Sequence, residues 1–458
     1  MNTNKKIIRV LVVVSLMFLA LVTYLLYFNM FRADEVSSNP YNKRQWEDEK
    51  FVKRGTIYDR DGEVLAETKI NGDERIRSYP KGNLYSHIIG YHSKVYGKNQ
   101  LEMKYDNALL GKGDINISFG EMRSGYDLHL TIDNDLQKHA YEKLGKRRGA
   151  VVALEPSTGK ILAMVSYPDF NPSAEALEEN WKYIVEREDS PLLPRATNGL
   201  YPPGSTYKIV TASTAYNAGY SDKVFNDEGN FKIGDLKVEN YGGKSYGEIT
   251  LRQAFEYSSN AVFCNLGYEL GWENVQASAE AFGINKEFET DIPLSKSRIE
   301  YKKMSDTDAA LVSIGQGQLL MTPLHVAMMG AAVANDGIIM KPYVVDSITA
   351  SSGLSLGTTR PEKLYQPITA LCASYLEELM IGVVENGTGG SARISGITVA
   401  GKTGTAENET DKDHAWFVGY APAESPQIVV AVLLENDGST GGTNAAPVAK
   451  SIISKYLQ

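Results

Sequence analysis

The chain has 458 residues, 43% hydrophobic and 22% charged, which leaves room for two or three globular domains. Its net charge of -9 argues against nucleic-acid binding, which requires a basic face. Two cysteines, Cys264 and Cys372, make neither a disulfide framework nor a metal cluster; two unpaired thiols are expected, with one bridge as the alternative. The six histidines are scattered, without a pair at metal-ligand spacing.

Residues 10–31, VLVVVSLMFLALVTYLLYFNMF, carry no charge. A helix of that length spans a hydrocarbon core of about 30 Å. Lys5, Lys6 and Arg9 precede it and put the terminus on the cytoplasmic side, with the bulk of the chain outside. A cleaved signal peptide is the alternative, but the apolar core is long for one and no small-x-small site follows it. We therefore expect a tail and transmembrane anchor over residues 1–32. Residues 33–50 read as a linker. FVKRGTIYDRDGEVLAET then places strand-like runs on either side of a turn at Asp61–Gly62, and DNDLQKHAYEKLG predicts a helix ending at Gly145. The N-terminal module is expected over 33–145.

From Gly149 the texture changes. GAVVALEP and KILAMVSYP read as a β-hairpin around a Ser-Thr-Gly turn. A long, mostly helical middle follows. Three further strands are predicted at ITVAGKTGTAE, HAWFVGYAP and IVVAVLLEN, and a closing helix carries Val448, Ile452 and Tyr456 on one face. Two early and three late strands suggest one sheet, largely antiparallel because the late connections are short. The second domain is expected over 146–458.

Three short segments carry polar residues suited to chemistry. In YPPGSTYK, Ser205 and Lys208 at i and i+3 share a helix face, with Cβ atoms about 5–6 Å apart. A lysine there takes the serine proton only if its amine is neutral, as burial or nearby cations can make it. Pro202, Pro203 and Gly204 set a rigid turn before the pair. A capping serine beside a solvated lysine is the bland reading, and Ser-x-x-Lys recurs at Ser157 and Lys160 in a tight turn. In FEYSSNAVF, Ser258 can relay a proton and Asn260 can position a lysine and a carbonyl; polar termination of a helix is the alternative. In GKTGT, Lys402 and Thr403 can hold a carboxylate, and Gly404 lets a backbone approach; a plain basic turn is the alternative. GITVAGKT at 396–403 matches the phosphate-loop pattern and GKSYG at 243–247 the nucleophile elbow, but neither has the required strand and helix around it.

The order Ser-Thr-Tyr-Lys, Ser-Ser-Asn, Lys-Thr-Gly-Thr resembles the serine acyltransferases that react with penicillin. AVVALEPSTGKILAMVSYPDFNP and LVSIGQGQLLMTPLHVAMMGAAVANDG agree with that likeness, and RGTIYDRDGEVLA and YPKGNLYSHIIGY resemble the N-terminal part of class B penicillin-binding proteins. The likeness runs from about residue 50 to the end and is nearest to the short penicillin-binding protein A type.

The resemblance implies an α+β fold: a five-stranded antiparallel sheet flanked by helices, an all-helical lobe, and a small N-terminal pedestal that contacts partners. It implies a membrane-anchored D,D-transpeptidase that crosslinks peptidoglycan stem peptides, releases D-alanine, is acylated by β-lactams and needs no metal or organic cofactor. Ser205 would be the nucleophile, Lys208 the proton acceptor and Ser258 the relay. Asn260 would position Lys208 and the donor peptide. Lys402, Thr403 and Thr405 would grip the terminal carboxylate, with Gly404 beside them, and the backbone N–H groups of Ser205 and Thr405 would form the oxyanion hole. A SEDS-type membrane glycosyltransferase is the implied partner. A D,D-carboxypeptidase, or a protein that mainly activates that glycosyltransferase, are the alternatives. A class A β-lactamase is disfavoured, because the chain has no Leu-Asn dipeptide for the deacylating motif.

Overall fold

The N-terminal apolar run forms helix α1 (Thr3–Phe31), and no side chain of its most apolar window is buried against the rest of the chain. The structure, a computed structural model, describes residues 3–32, 46, 49, 51–72, 74–112, 123–301, 303–408 and 412–458. The expected linker lies mostly outside the described residues. Among them, α1 is the one helix long and apolar enough to cross a membrane.

The strands after α1 that build the second sheet are β1 (Ile57–Tyr58), β2 (Val64–Asn71), β3 (Glu74–Ser78) and β4 (Asp127–Leu130). The turn between β1 and β2 uses Gly62 at φ +87°, and Asp59 Oδ1 accepts from the amides of Asp61 and Glu63. Helix α2 (Asn134–Leu144) is capped by the Asp133 side chain and stops at Gly145, with φ +63°. The hairpin β5 (Gly149–Leu154) and β6 (Ile161–Tyr167) follows. Then come helices α3 (Lys208–Asn217), α4 (Leu251–Glu256), α5 (Asn260–Ala281) and α6 (Pro323–Ala334). Strands β7 (Val345–Thr349) and β8 (Ser355–Thr358) precede helix α7 (Ala370–Glu385). The chain closes with β9 (Ala400–Ala406), β10 (His414–Ala421), β11 (Ile428–Leu434) and helix α8 (Ala446–Tyr456).

The main sheet has the order β6-β5-β11-β10-β9 and every pairing is antiparallel, as the two-early, three-late pattern predicts. Both of its faces are covered, which is why β11 reads as an unbroken apolar run rather than alternating. Val429, Ala431 and Leu433 point into one core, shared with α6; Ile428, Val430, Val432 and Leu434 point into the other, under α2 and α8.

The middle is less purely helical than expected. It contains the short hairpin Asn230–Ile233 and Leu236–Glu239, and the pairing of Val224–Asp227 with Gly247–Thr250. It also contains β7 and β8, which join the N-terminal strands in a six-stranded sheet of order β8-β7-β4-β1-β2-β3. β4 is parallel to β1 on one side and antiparallel to β7 on the other. One sheet therefore draws strands from both expected domains.

Beneath this second sheet sits a buried ion cluster. Glu102 receives Arg54 Nε at 2.6 Å and Arg77 Nε at 2.7 Å, and Arg54 also reaches Asp106 at 2.5 Å. Burial opposes ionisation of Glu102, but Arg77 and Arg54 outweigh it and hold the carboxyl well below the usual range. Cys264 and Cys372 are separate, buried, free thiols, as expected.

Candidate active site

The sequence YPPGSTYK folds as a one-turn 3-10 segment, Gly204–Tyr207, running directly into α3. Gly204 sits at φ +52°, and a Cβ there would lie 2.5 Å from the carbonyl oxygen of Thr405. Its amide donates to Gly315 O at 3.0 Å, and Gly315 in turn has no room for a Cβ, which would lie 2.0 Å from Gly204 O. Trp416 is fully buried under the turn and donates from Nε1 to Pro202 O at 3.1 Å. The turn bearing Ser205 is thus clamped against β9. We expect Gly204→Ala to lower the acylation rate about 10–100-fold, because misplacement of a reacting group by about 1 Å costs that much; stopped-flow penicillin binding measures it.

Ser205 opens onto a cleft of ≈ 1330 Å³ also lined by Ser258, Asn260, Thr403 and Thr405. Lys208 lies fully buried behind it. Its Nζ donates to Ser258 O at 2.7 Å, Asn260 Oδ1 at 2.8 Å and Ser258 Oγ at 3.3 Å. No hydrogen bond joins Ser205 Oγ to Lys208 Nζ among the described residues. Helix α4, capped by a box at Thr250 and Gln253, ends at Glu256, and α5 begins at Asn260 with Ser259 as its cap. Ser258, between them, adopts φ +58°. A non-glycine residue there costs of order 1–3 kcal/mol, and this one turns its carbonyl toward Lys208.

Lys402 joins the same cluster through Ser258. It is fully buried, and its Nζ donates to Ser258 Oγ at 2.9 Å and to Thr403 O at 3.0 Å. Along β9, Thr403 and Thr405 line the cleft, while Lys402 and Gly404 alternate with them and pack toward Ser258 and the serine turn. The space a side chain on Gly404 would need is filled by Thr206 Cγ2, Trp416 Cβ and Pro203 O, at 3.0–3.1 Å, so its bareness seats the serine turn rather than a ligand.

The two amines share one environment. Burial, partly opposed by Cys264 and Asp227, pulls Lys208 down to about 7. Burial and the charge of Lys208 push Lys402 well below the usual lysine range. An acidic-to-neutral switch of one amine, bonded to a serine hydroxyl that also touches the second amine, is the apparatus of proton transfer to and from oxygen.

Among the cleft residues that sequence reasoning missed is Thr388. Thr388 lies 2.6 Å, hydroxyl to hydroxyl, from Thr403, and its amide donates to Glu256 O at 3.2 Å. Its only signal was the Gly-rich run NGTGG.

A serine in a clamped helix turn, two buried lysines sharing a second serine, and an open strand edge beside them define a serine acyltransferase of the penicillin-recognising fold. The family model for the penicillin-binding protein transpeptidase domain matches residues 149–454, and that for the penicillin-binding protein A dimerisation domain matches 54–123. Peptidoglycan D,D-transpeptidase PbpA of Mycolicibacterium smegmatis is 34% identical, covering 100% of this chain and 99% of that protein. The ceftriaxone acyl-enzyme of penicillin-binding protein A from M. tuberculosis superposes with a TM-score of 0.85 at 32% identity, covering 90% of this chain and 100% of that one. The D,D-transpeptidase domain of a peptidoglycan glycosyltransferase from Eggerthella lenta gives 0.82 at 38% identity, covering 89% and 98%. The chain belongs to the class B penicillin-binding proteins, the peptidoglycan D,D-transpeptidases of the penicillin-binding protein A type.

Proposed function

We propose that Ser205 is the nucleophile of this transpeptidase and attacks the penultimate D-alanine carbonyl of a stem peptide, releasing terminal D-alanine. Lys208, in its neutral form, takes the serine proton. Its contacts to Ser258 and Asn260 hold it ready, and a Ser205–Lys208 hydrogen bond forms when substrate closes the site, as catalytic hydrogen bonds often do. The backbone N–H groups of Ser205 and Thr405 receive the oxyanion; one such donor is worth about 2.7–4 kcal/mol in comparable enzymes. Thr403 and Thr405 hold the terminal carboxylate, with Thr388 fixing the Thr403 hydroxyl. Lys402 acts from behind, polarising Ser258, which passes the proton to the departing amine and then takes one from the amine of a second strand. Bond making and breaking balance: each acyl transfer forms one ester or amide and breaks the other.

The observation that carries this reading is the Lys208–Ser258–Lys402 arrangement, which leaves a depressed amine beside a hydroxyl at the mouth of the Ser205 cleft. We propose the same acyl step with β-lactams, since the M. tuberculosis relative is described as such an acyl-enzyme. The apolar helix would anchor the chain in the cytoplasmic membrane with Lys5, Lys6 and Arg9 inside and the catalytic part outside. A SEDS-type membrane glycosyltransferase would be the partner of the N-terminal module.

The test is intact mass of the protein after penicillin. The wild type should gain one penicillin mass and Ser205→Ala none. An adduct on the alanine variant would assign the nucleophile elsewhere.

A further inference from the structure

The Ser258–Asn260 turn is held by a pair of residues outside the three motifs. Asn240, 4% exposed, uses its whole amide. Its Oδ1 accepts from Ser259 Oγ at 3.2 Å and from the amide of Ala261 at 2.9 Å. Its Nδ2 donates to Asp227 Oδ1 and Oδ2 at 2.9 and 3.0 Å and to Lys244 O at 2.8 Å. Next to it, the backbone carbonyl of Glu239 accepts from Asn260 Nδ2 at 3.1 Å. Asn240 therefore grips the turn on both sides of Asn260.

Asp227 is 1% exposed. Its carboxyl receives Asn240 Nδ2 and, on Oδ1, the amide of Gly229 at 2.8 Å. Every side-chain partner is an N–H donor, the bonding of an ionised carboxylate, and no lysine or arginine among the described residues pairs with it. A buried carboxylate without a paired cation is costly, and a purely structural clamp would not need the charge. The site it supports contains two buried amines.

We propose that Asp227 and Asn240 are positioning residues of acyl transfer: the amide fixes the left-handed turn that presents Ser258 and Asn260 to Lys208, and the carboxylate orients that amide while placing a buried negative charge on the Lys208 side of the site. The proposal rests on the roles given above to Ser205, Lys208, Ser258 and Asn260.

The charge has a readable consequence. Lys402 on β9, Cys264 on α5 and Asp227 at the end of the strand Val224–Asp227 act electrostatically on Lys208, and burial raises the Cys264 thiol to about 12. Asp227 favours the Lys208 ammonium and Lys402 disfavours it. Removing the Asp227 charge lets Lys208 lose its proton at lower pH.

The test is the second-order rate of acylation by a fluorescent penicillin, followed from pH 5 to 9 on the full-length chain in detergent. Wild type, Asp227→Asn, Asn240→Ala and Ser205→Ala are compared, with thermal melting of each. Asp227→Asn keeps the shape and should move the acid limb of the profile to lower pH, with a several-fold loss of the plateau rate. Asn240→Ala should lose about 10–100-fold, the cost of misplacing a catalytic group. If Asn240→Ala does not fold, Asp227→Asn alone decides. An unshifted acid limb and an unchanged plateau in Asp227→Asn overturn the proposal, whereas an unlabelled wild type or a labelled Ser205→Ala overturns the underlying assignment instead.

Discussion

Replacing Lys208 by arginine or methionine should lower penicillin acylation by about 10²–10⁴-fold, the usual contribution of a positioned general base. Arginine keeps the charge but cannot deprotonate, so it should fail as badly as methionine. The wild-type rate should also rise with pH. Lys208 titrates near 7 because it is fully buried, and only the neutral amine accepts the Ser205 proton. The rate should therefore be low at pH 5, half-maximal near the Lys208 value and flat above pH 8. Stopped-flow acylation across that range checks both statements. A flat profile, or an arginine variant of wild-type rate, would remove Lys208 as the base. Serine relays through Ser258 would then have to start from Lys402, the second amine on that hydroxyl.

The largest expected effect on stability lies far from the cleft. Glu102 is 0% exposed and is, among the described residues, the one carboxylate shared by Arg54 and Arg77. Glu102→Ala would leave the buried Arg77 guanidinium short of its anion and Arg54 with Asp106 alone. Breaking a buried pair in this way costs about 3–5 kcal/mol. Denaturant unfolding of the variant should show a loss of that size, whereas replacing the exposed Lys237 of the Lys237–Glu239 surface pair should change stability by less than about 1 kcal/mol. A small loss at Glu102 would mean that water enters the cluster.

Much of this was readable from the sequence. The five strand segments point to the main sheet, and the Pro-Pro-Gly turn with the apolar run after Lys208 points to a serine at a helix start. The contact of Lys402 with Ser258 is not legible in the motif itself, because it joins residues 144 apart in the chain. Asn240, Asp227 and Thr388 escaped for another reason. Asn240 and Thr388 are short polar residues in Gly- or Asn-bearing loops, and Asp227 ends a strand just before one, where the same composition also marks an ordinary turn. Only their long-range contacts distinguish them. Strand β7 was hidden because its partner β4 lies more than two hundred residues earlier, and β8 is in the sheet only through β7.

That shared sheet has a consequence for exchanging parts between relatives. β7 takes its place beside β4 by backbone hydrogen bonds, and just past β4 the Thr131 amide donates to Val344 O at 2.7 Å. A graft that swaps the N-terminal module at a single splice point near residue 146 leaves a foreign β4 beside a native β7. The mismatch falls in the middle of a sheet, where an unmatched register opens two raw edges rather than one loop. The inheritable unit is therefore discontinuous: a working chimaera has to carry residues 345–358 along with the front of the chain.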